Sequence, residues 1–262
     1  MTTRSETSGA TSNPVQNVKI EREGRVLVVT FDRPDKMNAM TGAMYQAATQ
    51  ALGEADRDGS IGAVVFRGAG GTFTAGNDIA DFLAASRNPE EVSAFAFIKA
   101  LAACETPLVA AVEGMAIGVG ATMILHCDLV YVSPGVMFRL PFVDLGLVPE
   151  AASSLLLPRR IGLAKASELL LLGEPFGADE AMRLNLANGV VAAGKLKAFA
   201  VEQAARLAAK PRAALAATRR LIRGDREAIL ARIDEEARLF ALALRSDEAR
   251  AAFAAFLARK PN

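Results

Sequence analysis

The sequence predicts an α/β fold that ends in an all-helical region, and three observations carry that prediction. Short apolar runs, residues 61–66 and Leu108–Val112, each lead through a glycine-bearing turn into a helical pattern, the alternation expected of strands and helices around a sheet. From about Ala164 onward apolar residues recur at helical spacing almost without a break. The 262 residues are 52% apolar with no tryptophan, enough for one large core or one core with a smaller satellite.

Residues 1–14 are polar and aperiodic, and a disordered leader is expected there. Val18 and Ile20 alternate with charged residues, Glu23-Gly24 turns the chain, and Val26–Phe31 continues it, which reads as a hairpin. Residues 32–36 break the strand. Thr41 then stands where a helix cap is needed, before Met44, Tyr45, Ala48, Leu52 and Ala55 on one face. Residues 61–66 read as a buried strand. The following TFTAGNDI (72–79) is a turn into a helical pattern in which Gly76 or Asn77 can take a positive φ. It is either an ordinary strand-to-helix loop or a set of exposed backbone N–H groups. Residues 91–103 show helical spacing through Phe95, Ile98 and Ala102.

The chain reads as organised around PLVAAVEGMAIGVGATMILHCD (107–128). A buried strand reaches Glu113 and Gly114, glycines recur at 118 and 120, and an uncharged helical stretch follows over residues 121–125. The first turn of such a helix exposes N–H groups, and its dipole favours negative charge there. A phosphate-cradling loop would need a lysine after its last glycine, and a dinucleotide fingerprint a third glycine where Met123 stands. The uncharged run is too short to cross a bilayer. Two readings remain: a pocket for an oxygen that is or becomes an anion, or glycines that let a helix pack tightly on the sheet.

Leu129–Val132 reads as a strand and Ser133-Pro134-Gly135 as a turn. Residues 137–157 are apolar apart from Arg139, Asp144 and Glu150. A carboxylate in such company is costly unless paired or tuned for proton transfer. Equally, a Glu after Pro149 suits the first turn of a helix. Further on, Leu196, Phe199, Ala204 and Leu207 share a face, as do Ile229, Ile233, Phe240 and Leu244, then Phe253, Phe256 and Leu257. The last helices carry more apolar face than a small appendage needs, which points to subunit contacts.

Lys plus Arg number 30 against 29 Asp plus Glu, and no basic stripe with interleaved aromatics calls for nucleic acid. Arg159-Arg160 and Arg219-Arg220 read as solvated helix faces. Cys104 and Cys127 lack metal-like spacing, and with no signal peptide they read as reduced thiols of a cytoplasmic protein. His126 is the only histidine, so neither a Ser–His–Asp triad nor a multi-histidine metal site has support. His126 reads as structural.

Taken together, these motifs resemble those of the crotonase (enoyl-CoA hydratase/isomerase) superfamily, over about residues 18 to 260. RPDKMNAM (33–40) is similar to the segment that contacts coenzyme A. FTAGNDI (73–79) resembles the loop that wraps adenine and pantetheine and supplies one oxyanion-hole N–H, which maps to Asn77. GMAIGVGATMILHCDL (114–129) resembles the helix entry that supplies the second, which maps to Val119. The resemblance implies a crotonase-type spiral of ββα turns over residues 15–200, and a helical trimerisation region over 201–262. It also implies trimers or paired trimers, and an acyl-CoA substrate that brings its own coenzyme A, with no separate cofactor or metal. Thr74, Ala75, Gly76, Asp78, Ile79 and Gly118 would line the substrate. Arg33 and Lys36 would meet the phosphates. Phe82, Leu83, Phe95, Phe142 and Leu147 would flank the acyl tail or simply belong to the core.

A hydratase of this family carries two glutamates where this chain has Thr122 and Phe142. PFVDLGLVPEAASS (141–154) and AGND (75–78) instead resemble the peroxisomal-type 3-enoyl-CoA to 2-enoyl-CoA isomerases, whose single catalytic glutamate maps to Glu150. The family often ends with an aromatic and a lysine that reach a neighbour's ligand; this sequence closes on Arg259-Lys260-Pro261-Asn262. Hydration, thioester hydrolysis, carbon–carbon cleavage and non-catalytic acyl-CoA binding are the competing expectations.

Overall fold

The computed structural model describes residues 17–81 and 93–258. The leader at 1–14, the tail at 259–262, and Phe82 and Leu83 lie outside the described residues. The N-terminal hairpin pairs β1 (Val18–Glu23) antiparallel with β2 (Val26–Phe31). Parallel partners follow outward from β2: β3 (Ala63–Gly68), β4 (Leu108–Val112), then Leu129–Val132 and the two-residue Gly189–Val190. The strand expected at 61–66 thus begins two residues later.

Both faces of this sheet are covered, which is why β2 and β4 are buried along their whole length. Side chains alternate between the two faces. Leu27, Val29, Val64 and Phe66 meet Met44, Ala48 and Leu52 of α1 (Gly42–Arg57) and Phe97 and Leu101 of α2 (Ser93–Ala103). Val26, Val28, Val65 and Val109 face the other way, onto Leu196, Ala200, Ala204 and Ala208. Those four residues lie on one helix, Ala193–Ala208. The boundary expected at residue 200 therefore falls inside a helix, and the sheet's covering layer runs on to Ala208. Regular helical spacing across the boundary hid it.

A smaller sheet stands beside the first. Here β5 (Met115–Ile117) pairs parallel with Met137–Arg139, which pairs antiparallel with Phe176–Gly177. A parallel bridge between Thr74 and Ala116 extends it. So β3, β4 and the Leu129–Val132 strand each leave the large sheet and contribute a segment to the small one, which is the spiral of repeated turns. After β5 come α3 (Val119–Thr122) and a tight 3₁₀ turn, Met123–His126, rather than one longer helix.

The remaining helices include α4 (Ser153–Ile161), Arg212–Arg223, Arg226–Leu244 and Asp247–Ala258. Ile229 and Ile233 of the 226–244 helix pack on Ile98 and Ala102. Arg219 corrects an expectation: it is buried, not on a solvated face, and lies 3.0 Å from Asp128. Arg223, one turn on, reaches the same carboxylate at 2.9 Å. Asp128 also accepts the Leu108 N–H at 2.8 Å, so a single carboxylate ties two strand ends to a C-terminal helix. Both cysteines are free and buried. No helix among the described residues is long and apolar enough to cross a membrane, and these residues hold no cluster of three or more potential metal ligands.

Candidate active site

The RPDKMNAM segment turns through Pro34–Lys36 and then places Met37 and Asn38 at φ 51° and 56°. Asparagine tolerates that left-handed conformation, and here its side chain is fully used. Asn38 Oδ1 accepts the Arg33 N–H at 2.8 Å, and its amide donates to the carbonyls of Ala69 at 2.8 Å and Thr72 at 2.6 Å. The Asn38 carbonyl accepts the Thr74 hydroxyl at 2.7 Å. The segment is thereby fastened to the loop after β3. Arg33 donates to Asp78 at 2.7 Å and to the Ala39 carbonyl at 3.1 Å, so much of its charge is spent inside the protein. Lys36 is exposed and makes no ion pair among the described residues.

Asp78 does more than pair with Arg33: it accepts the Asp81 N–H at 3.0 Å at the head of the helical turn 79–81. Burial works to raise its carboxyl, but the N–H groups of Asp81 and Ala80 and the Arg33 guanidinium outweigh it and hold the group below its ordinary range. Ile79 packs partly buried against the main core.

Residues 74–77 and 115–119 run side by side. The Thr74 N–H donates to the Met115 carbonyl at 3.0 Å, and the Ile117 N–H returns to Thr74 at 3.0 Å. The Ala75 N–H donates to the Met37 carbonyl at 2.9 Å, and the Gly76 carbonyl accepts the Met40 N–H at 2.8 Å. Gly76, not Asn77, takes the positive φ expected in this loop. Gly118 adopts φ 55° and ψ −117°, a region closed to side chains. Gly120 serves another purpose: a Cβ there would stand 2.6 Å from Thr74 Cγ2, so the two segments touch only because it is absent. Among the described residues, neither the Asn77 N–H nor the Val119 N–H donates a hydrogen bond. Both amide hydrogens are thus free on adjacent, mutually bonded segments; N–H donors hold an oxyanion where they converge on it.

Glu150 is 3% exposed. Its Oε1 accepts the Thr122 hydroxyl at 2.6 Å, and Oε2 has no hydrogen-bond partner among the described residues. Burial raises its carboxyl to about 7, against the lowering effect of Thr122, and the neighbouring Glu236 adds to the rise. A carboxyl with that value exchanges protons near neutrality. The first-turn alternative fails, because α4 begins three residues later. Between the two stand Ala151 and Ala152 at φ 60° and 54°, a consecutive left-handed pair of side-chain-bearing residues costing about 1–3 kcal/mol each. His126 Nε2 lies 2.8 Å from the Ala151 carbonyl. Burial, opposed by that hydrogen bond and aided by Arg223 and Arg160, lowers the imidazole to about 4. It is neutral and structural, and Nε2 carries the proton, since a carbonyl can only accept.

Phe142 is buried in the main core at the head of the 3₁₀ turn Val143–Leu145, and Leu147 is buried beside it. Phe95 is half-buried, its ring edge-on to Phe240 with centroids 5.7 Å apart. A cavity of about 660 Å³ opens elsewhere, among Cys104, Asp128, Arg160 and Arg223, and none of the expected site residues lines it. Two residues were missed from the sequence. Tyr45, expected only as core, donates its hydroxyl to the Asn77 side chain, and burial together with the charges of Glu150 and Asp81 holds that hydroxyl well above its ordinary range. Glu236 accepts the Ala152 N–H at 2.6 Å, and the Ser154 N–H and hydroxyl at 3.0 and 2.5 Å. Neither had a local signal, because each contact joins distant parts of the chain.

Residues 21–262 match the model of the enoyl-CoA hydratase/isomerase family. Enoyl-CoA delta isomerase 2 of Rattus norvegicus is 33% identical over 254 residues, 94% of this chain, which spans 65% of the rat protein's length. A probable enoyl-CoA hydratase of Rhodobacter capsulatus is 34% identical over 248 residues, covering 93% of this chain and 96% of that protein. The crystal structure of an enoyl-CoA hydratase/isomerase from Pseudoalteromonas atlantica T6c superposes with a TM-score of 0.88 at 41% identity, covering 94% of this chain and 99% of the other. With a family match that runs through both glycine-bearing loops and Glu150, and with a shared spiral of paired strands, this chain belongs to the enoyl-CoA hydratase/isomerase family of the crotonase superfamily.

Proposed function

We propose that this acyl-CoA enzyme moves the double bond of a 3-enoyl-CoA to the 2-position. Glu150 takes a proton from C2. The electrons pass through a dienolate whose thioester oxygen rests on the N–H groups of Asn77 and Val119. The protonated Glu150 then delivers its proton to C4, the bond settles between C2 and C3, and the carboxylate is restored. Losing one oxyanion donor typically costs about 3 kcal/mol in the transition state, and acid–base help of this kind is worth on the order of a hundred- to ten-thousand-fold. Coenzyme A belongs to the substrate, and the reaction so written asks for no metal or further cofactor.

The observation that carries this reading is Glu150 itself: a buried carboxyl poised at about 7, with the neutral hydroxyl of Thr122 as its hydrogen-bond partner. One shuttling base suffices for isomerisation. Hydration needs a second group, and the positions implied for it hold Thr122 and Phe142. The name of the rat relative points the same way, while that of the Rhodobacter relative favours hydration. The deciding experiment supplies purified protein with 3-enoyl-CoAs and follows the absorbance of the conjugated product, then repeats it with Glu150→Gln. A 3-hydroxyacyl product from 2-enoyl-CoA, found by mass spectrometry without any isomerisation, would replace this reading with hydration.

Homotrimers, or pairs of them, are proposed as the working assembly. Leu221 and Ile222 are 83% and 75% exposed on one helix, apolar surface of a kind that subunit contact would cover.

A further inference from the structure

Helix α4 has no acidic residue in its first turn, and its N-cap, Ala152, offers no side chain to its free N–H groups. The missing acceptor comes from the 226–244 helix, 84 residues away, as the Glu236 carboxylate. Oε2 takes the Ala152 N–H, and Oε1 takes the Ser154 N–H and hydroxyl. Arg232 reaches the same hydroxyl at 3.1 Å. The carboxylate is 4% exposed, beside an apolar cluster in which Ala151 and Ala152 pack with Ile98, Ile229 and Ile233. A carboxylate is costly there unless it is engaged as this one is. From the other side, His126 holds the Ala151 carbonyl.

We propose, on the assignment of Glu150 as base, that Glu236 is a positioning residue for it. With His126 it grips the left-handed pair Ala151–Ala152 from both sides, and that pair turns the Glu150 side chain inward to Thr122. Alanine does not hold such a backbone unaided. The grip therefore serves the direction of Glu150 as well as the start of α4. The role is distinguishable from a plain helix cap, because a base aimed wrongly slows turnover without weakening substrate binding.

The test compares wild type, Glu236→Gln, Glu236→Gln with Ala152→Gly, and Glu150→Gln, each assayed for kcat and KM with a 3-enoyl-CoA and for binding of a saturated acyl-CoA. Gln keeps one acceptor but sets an amide against an N–H donor. Glu236→Gln should lose about tenfold or more in kcat, with KM and binding within about threefold. Glycine at 152 adopts the left-handed conformation without a grip, so the double variant should recover at least about threefold of that loss. The proposal is overturned if Glu236→Gln keeps kcat within about twofold of wild type, if its loss lies wholly in KM, or if Ala152→Gly recovers nothing. Should Glu236→Gln fail to fold, Ser154→Ala removes the hydroxyl's contact with the carboxylate at lower cost while keeping the backbone N–H, and unchanged kcat there overturns the proposal equally. Wild-type turnover by Glu150→Gln would refute the base assignment instead, whatever Glu236→Gln shows.

Discussion

Thr122 donates its hydroxyl to Glu150 at 2.6 Å, and both side chains are shut away from solvent. Thr122 also closes the short helix that Val119 opens, so the N–H proposed for the oxyanion and the proposed base are joined through one helical turn. One of the two positions where a hydratase of this family would place a glutamate thus holds a neutral donor that steadies Glu150.

Glu150→Gln is expected to lose turnover by about a hundred- to ten-thousand-fold while acyl-CoA binding stays near normal. The same variant should be more stable than wild type in alkaline buffer. The folded carboxyl sits at about 7 against an ordinary 4.5, so the native state keeps a proton that the unfolded chain has already released. Stability therefore falls as pH rises through that window. Urea titrations should show no gap between the two proteins below about pH 4.5 and a gap on the order of 3 kcal/mol in favour of the variant above about pH 7.

In wild type, kcat/KM should rise with pH through about 7 as Glu150 ionises. Thr122→Ala removes a hydrogen bond that favours the ionised form, so its limb should move to higher pH. An unmoved limb would mean that the rate-controlling ionisation is not that of Glu150.

Gly118 and Gly120 should fail for different reasons. A Cβ at 118 meets nothing within 4 Å, so Gly118→Ala pays only for its backbone, about 1–3 kcal/mol. A Cβ at 120 drives into Thr74 Cγ2. Gly120→Ala alone should therefore be partly relieved by Thr74→Ser, which a double-mutant cycle in urea can read.

Asp128→Ala leaves the buried Arg219 without its carboxylate and the Leu108 N–H without its acceptor. A loss of about 3–5 kcal/mol in unfolding free energy is expected. Turnover per folded molecule should change little, since neither Asp128 nor Arg219 makes a hydrogen bond to Asn77, Val119 or Glu150.

The hairpin, the buried face of α1 and both glycine-bearing loops were legible because each is written in local periodicity or in residues that only a turn requires. Thr41 does accept the Met44 N–H, at a long 3.4 Å. Arg219 was misread because helical spacing shows which residues share a face without showing what that face meets. Ala151 and Ala152 were illegible for a sharper reason: alanine signals helix, and only tertiary contacts from His126 and Glu236 hold the pair left-handed. Tyr45 read as core, and it is core; its hydroxyl found Asn77 only once the chain had folded.

His126 alters how kinetics of this protein must be interpreted. A rate limb near neutrality is habitually credited to an imidazole, yet the sole imidazole here is sealed in and already deprotonated well below that range. Calorimetry distinguishes the two, since carboxyl ionisation is almost athermal whereas that of imidazole absorbs heat. Reagents that acylate histidine should reach it only when the fold opens, so inactivation by them would report that opening rather than the loss of a proton carrier.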